Sequence, residues 1–173
     1  RYKEAAEKLV IGDPKDAATQ FSPALASQEH FLKVQSFLTP ESLAGGRLVT
    51  GGLGEGWGVQ PTIVVDAPAD ARVVREEIFG PVVVAQRFDD LDEVAKSAND
   101  TAFGLGAGIW TKDVATMHKL AAKIKSGTVW GNCHAMIDTA LPFGGYKESG
   151  IGREQGKAGI DAYLETKTVI IQL

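Results

Sequence analysis

The sequence holds a single cysteine, Cys133. That excludes a disulfide framework within the chain and suits a reducing, cytoplasmic compartment. No uninterrupted apolar run is long enough for a transmembrane helix, and no signal-peptide pattern is present. No run of Lys or Arg occurs and the net charge is -4, which argues against nucleic acid as a partner. Internal repeats and low-complexity tracts are absent. His30 and His118 lack metal-ligand spacing, so no metal site is expected. An initial Met is also missing. The chain opens at Arg1 with Tyr2, Ala5, Ala6 and Leu9 already at helical spacing, which predicts further sequence upstream.

What is present is 173 residues, 44% hydrophobic, enough to bury a core of one domain. The opening helix is expected to stop at Gly12-Asp13-Pro14. A second helix is expected over 27–38, with Phe31, Val34, Gln35 and Leu38 along one stripe. Residues 47–50 read as a strand. The glycine run 51–56 reads as a hairpin turn, because it carries neither the dinucleotide fingerprint nor a P-loop spacing. Strands are then expected over 60–65, 82–88, 106–110 and 128–131. Helices fall between them over 69–77, behind a capping Asp90, and around Val114, Met117, Ala121 and Ile124. Strands alternating with helices of this length predict an α/β fold with an open, largely parallel sheet and helices on both faces. A long loop follows 131, then a helix over 155–164. Residues 166–173 read as a closing strand, whose consecutive Val169, Ile170 and Ile171 want cover on both faces.

One stretch stands out. Glu76-Glu77-Ile78-Phe79-Gly80-Pro81 places carboxylates and an aromatic at the mouth of an apolar strand. This is an ordinary way to end a loop and an ordinary way to grip a small polar ring. Cys133 beside His134 invites a Cys-His dyad, but neighbours in extended chain point to opposite sides, so a structural or loop role is expected for Cys133.

The corner belongs to an ordered series: Glu77-Ile78-Phe79-Gly80-Pro81, Asn99-Asp100-Thr101, Phe103-Gly104-Leu105, Gly127-Thr128-Val129-Trp130, Asn132, Pro142-Phe143-Gly144-Gly145-Tyr146-Lys147, Ser149-Gly150 and Gly152-Arg153-Glu154. Together with the Glu165-Thr166-Lys167-Thr168-Val169 ending, this series resembles the aldehyde dehydrogenase superfamily, in the C-terminal part of a subunit roughly three times longer. The resemblance implies a partial catalytic domain over 1–164 and an oligomerisation strand over 165–173. It implies oxidation of an aldehyde to a carboxylic acid with NAD or NADP, through a thiol nucleophile and a Glu general base. Both of those lie outside this segment on the resemblance, so the segment alone is expected to be inactive. Glu77 matches the residue that binds the nicotinamide ribose, Phe79 the aromatic beside the nicotinamide, and Leu105 a further neighbour of that ring. Phe143 matches a substrate-tunnel aromatic, and Ala135 to Ile137 a substrate-dependent loop whose apolar character here implies an apolar or aryl aldehyde. Glu154 matches an acid that relays protons near the thiol in some members. Arg153 has the donors to organise its loop by binding carbonyls. The partners implied are a small aldehyde and further copies of the chain through the terminal strand. A non-catalytic, self-associating remnant of the same fold is the alternative.

Overall fold

The computed structural model describes residues 1–173, in two compact units, Arg1–Arg87 and Phe88–Leu173. The first is built on helix α2 and a three-stranded sheet. Helix α1 spans Tyr2–Glu7, ending before the Gly12 stop expected from sequence. Helix α2 spans Gln28–Phe37, and the Ser27 side chain caps it by accepting from His30 N at 3.1 Å. Its buried face is Val34 and Phe37. Phe37 takes the place in the stripe that the spacing gave to Gln35, because the larger apolar side chain wins the core. A short helix α3, Pro40–Leu43, has Thr39 as cap and proline in its first turn, and it was not read from the sequence.

Strands β1, Arg47–Leu53, and β2, Val59–Val65, pair antiparallel. The hairpin was expected, but the turn sits later. β1 continues through Gly51 and Gly52, both at positive φ, with register shifts on either side of Thr50. A Cβ at Gly51 would lie 2.4 Å from the Pro61 carbonyl oxygen, so the glycine is needed for this close crossing and not for a turn. Gly54 N donating to Gly58 O at 2.8 Å closes the true turn. Helix α4, Arg72–Arg75, connects β2 to β3, Val82–Ala85, which pairs parallel to β2 with Thr62 opposite Val82. α4 is shorter than the expected 69–77 because Glu76 is already extended, which brings Ile78 down into the core. β2 is central and buries Thr62, Ile63 and Val64 in succession.

In the second unit, Asp90 caps α5, Leu91–Asn99, by accepting from Asp92 N and Glu93 N. Two-residue β4, Phe103–Gly104, pairs antiparallel with β7, Tyr146–Lys147; neither was expected. β5, Gly106–Ile109, runs parallel to β6, Thr128–Gly131, across α6, Val114–Lys123. Asp113 caps α6, and hydrogen bonds from Thr116 and Ala115 hold its carboxyl below the usual carboxylate range. Helix α7 spans Gly156–Asp161, shorter than expected. The α/β class and the parallel β-α-β units are as predicted; the strands lie in three separate small sheets.

Residues 166–173 form neither helix nor strand, and Ile170 is 89% exposed. A strand exists only beside another edge that takes its backbone hydrogen bonds, and this chain offers it none. No helix is long and apolar enough to cross a membrane.

Burial is uneven. Ten of the twelve buried apolar residues, with Val34, Phe37, Val59 and Val64 the most enclosed, belong to the first unit; the second contributes Ala95 and Ile109. Phe37→Ala is therefore predicted to destabilise the first unit by about 3–5 kcal/mol, read as a lowered urea midpoint; a change within error contradicts the placement of this core.

Candidate functional site

Two adjacent carboxylates end α4, and their surroundings separate them. Arg72 Nε binds Glu76 Oε2 at 3.1 Å. The same guanidinium reaches Ser36 Oγ at 3.0 Å and lies 4.1 Å over the Phe37 ring. Glu76 is thus tied back to the body of the unit. Glu77 is exposed and makes no hydrogen bond or ion pair within the chain. Ile78, 8% exposed, pins the backbone between Glu77 and Phe79.

Phe79 then breaks a local rule. Its φ is +56, a left-handed conformation that costs an aromatic residue about 1–3 kcal/mol. The consequence is a ring turned outward, 69% exposed, beside the Glu77 carboxylate. The neighbours hold this conformation. Gly80 lies so close to α2 that a Cβ there would sit 2.8 Å from Val34 Cγ2. His30 Nε2 donates to the Phe79 carbonyl at 2.5 Å, and the two rings lie 6.0 Å apart. Pro81 O accepts from Thr62 N at 2.8 Å, which joins the corner to the central strand. A groove of about 380 Å³ is lined by Val73, Glu77, Ile78, Phe79, Gly80 and Val84, among others. A free carboxylate, an outward aromatic face and open space beside them suit a ribose with its attached ring. His30 is the corner residue that sequence reading missed; its spacing excluded a metal site but said nothing about a carbonyl 49 positions away.

In the second unit, Leu105, Phe143 and Glu154 line one cavity of about 840 Å³ with Arg153, Ile160 and Tyr163. Phe143 and Glu154 are paired through both backbone amides at 2.8 Å, which holds their main chains side by side. Ala135 and Ile137 are not part of this lining. Their loop is held by Trp130 Nε1, which donates to Met136 O at 2.8 Å and leaves Met136 and Ile137 exposed. His134 packs edge-on against Trp130 with centroids 5.2 Å apart, and no hydrogen bond joins it to Cys133.

Much of the motif series has a mechanical use. Lys147 Nζ donates to the carbonyls of Asn99 and Thr101 at 2.8 and 2.9 Å. Asn99 in turn bonds Lys123 O and Lys125 N. Asn132 bonds both Thr111 N and Thr111 O. Arg153 donates to the carbonyls of Gly145 and Gly152, the organising role expected of it. Gly127 marks the tightest approach: a Cβ there would lie 1.6 Å from Gly144 O. Gly127→Ala is predicted to force the 143–145 loop aside and to destabilise by about 3 kcal/mol or more, seen as a melting point several degrees lower. An unchanged melting curve contradicts the close approach.

Comparison with known proteins places this geometry. The aldehyde dehydrogenase family model matches residues 1–169. The betaine aldehyde dehydrogenase of Brucella anthropi is 42% identical over 180 residues, covering 100% of this chain and 37% of the relative. Betaine aldehyde dehydrogenase 1 of Rhizobium meliloti is 43% identical over 99% of this chain and 36% of its own length. Among solved structures, the Staphylococcus aureus betaine aldehyde dehydrogenase in complex with NAD+ superposes with a TM-score of 0.89 at 35% identity, over 95% of this chain and 34% of that one. A variant of the Bacillus cereus aldehyde dehydrogenase gives 0.89 at 40% identity, over 96% and 34%. The chain thus spans about a third of the length of the relatives it matches. It belongs to the aldehyde dehydrogenase family.

Proposed function

We propose that residues 1–173 are the C-terminal part of a longer NAD-linked aldehyde dehydrogenase subunit that oxidises a small aldehyde to the carboxylic acid. The observation that carries this reading is the division of labour between Glu76 and Glu77: one carboxylate is consumed by Arg72, and its neighbour is left free beside an outward aromatic ring. A carboxylate accepts hydrogen bonds from two vicinal hydroxyls, so Glu77 binds the nicotinamide ribose while Phe79 bounds the space of the ring. NAD+, when bound, supplies the hydride acceptor. This chain's residues hold and orient it. NAD, rather than NADP, is supported by the NAD+ complex of the Staphylococcus aureus relative.

The thiol nucleophile and the water-activating carboxylate come from outside residues 1–173 in this reading, and Cys133 is not the nucleophile. Leu105, Phe143 and Tyr163 give the second unit's cavity an apolar lining, with Glu154 as the one acid on it. Ala135 and Ile137 lie outside that lining, and their assignment to the substrate loop rests on the family resemblance alone. This lining suits an apolar or aryl aldehyde. Betaine aldehyde, for which the relatives are named, is the comparison substrate, because aromatic faces also attract quaternary ammonium groups. The exposed Val169, Ile170 and Ile171 support a third role, as a strand completed by the edge of another copy. A non-catalytic self-associating role rests on the same three residues and predicts no aldehyde-dependent NADH formation by the complete protein.

Glu77→Gln in the complete subunit tests the reading. We expect kcat/KM for NAD+ to fall about 10- to 100-fold with the melting point unchanged, the loss of charge-assisted hydrogen bonds to two hydroxyls. Unchanged NAD+ kinetics would sink the ribose assignment.

A further inference from the structure

We propose that His30 is a positioning residue for the cofactor corner: its Nε2–H holds the Phe79 carbonyl, fixes the Phe79–Gly80 peptide and so keeps the Phe79 ring in its outward position beside the groove. The proposal rests on the reading of that corner as the ribose site.

Three observations carry it. The first is the bond itself, Nε2 to the Phe79 carbonyl at 2.5 Å, between residues 49 apart in sequence. A carbonyl can only accept, so Nε2 carries the proton and the ring is held in that tautomer or as the imidazolium. The second is that no backbone amide donates to the Phe79 carbonyl; the sheet ladder begins only with Val82 opposite Thr62. An imidazole therefore does here what a ladder would do in a strand. The third is the placement of His30 one helical turn before Val34, on the same face of α2. Val34 meets Gly80 and His30 meets Phe79, so α2 grips two successive residues of the corner, one by packing and one by a hydrogen bond. The Val34 contact fixes where Gly80 sits. It does not decide the orientation of the Phe79–Gly80 peptide, because the carbonyl preceding a fixed glycine can still turn. His30 supplies that second restraint. Without it the peptide between Phe79 and Gly80 is free to turn and the ring leaves its outward position, while buried Ile78 keeps Glu77 in place.

The consequence is specific. His30 does not touch the ribose, so its loss should loosen the cofactor without unfolding the unit, and a side chain that restores the donor should restore the site. Glutamine is that side chain, since its Nε2 sits at a reach similar to that of the imidazole Nε2.

The test compares His30→Ala, His30→Gln and Glu77→Gln in the complete subunit. It reads the NAD+ dissociation constant by calorimetry, melting temperature, and amide hydrogen exchange across 77–82 in the absence of NAD+. Expected for His30→Ala are a dissociation constant raised about five- to tenfold, the loss of one hydrogen bond's worth of restraint, and faster exchange confined to 77–82. His30→Gln should recover most of both. Unchanged affinity and exchange in His30→Ala, with Glu77→Gln weakened, overturn the positioning role and leave the ribose site standing. Unchanged affinity in Glu77→Gln overturns the ribose site and this proposal with it. Equal loss in the Ala and Gln variants, or faster exchange throughout β2, overturns the hydrogen bond as the cause.

Discussion

The grip of α2 on residues 76–81 is the constraint on which the first unit's function turns. An aromatic residue does not take a left-handed conformation unaided. Here Gly80 is pressed against Val34, Ile78 is buried in the core, Pro81 is bonded to the central strand, and His30 holds the remaining carbonyl. Two of these restraints come from α2, the others from the core and the central strand, so the strained residue is over-determined. The result is a corner whose two polar and aromatic groups face outward from a rigid base. Preorganisation of this kind lowers the cost of binding because little is left to order when the ligand arrives.

The second unit is organised differently. It has few buried apolar residues and relies on side chains that clip loops together through backbone carbonyls and amides. Lys147, Asn99, Asn132 and Arg153 each bind main-chain groups at a distance in sequence, and Gly127 and Gly144 permit backbone to approach backbone. Buried loop backbone needs such partners, since it has no ladder of its own. Many apolar side chains of this unit, Ile151, Tyr163 and Ile170 among them, are exposed.

The sequence made the strands and helices legible wherever periodicity was strong. β6 matches the expected range, and α2, α5 and α6 follow their caps and stripes. Errors arose where tertiary contact overrode local signal. Gly51 and Gly52 looked like a turn because glycine clusters usually are one, yet they serve a bulge crossing Pro61. The motif order made the family legible, but its physical meaning was not. Lys147, Asn99 and Asn132, members of the series given no role from sequence, bind main-chain carbonyls. The choice of Glu77 over Glu76 acquired a structural reason only with the position of Arg72. His30 could not have been found from sequence, because nothing local links it to Phe79.

The central claim is that Glu77 holds the nicotinamide ribose. A crystal structure of the complete subunit with NAD+ tests it most directly. The account predicts a Glu77 carboxylate oxygen within about 3 Å of each ribose hydroxyl, with Phe79 against the nicotinamide side. A bound NAD+ whose nicotinamide ribose meets other residues, with Glu77 still in solvent, would contradict it.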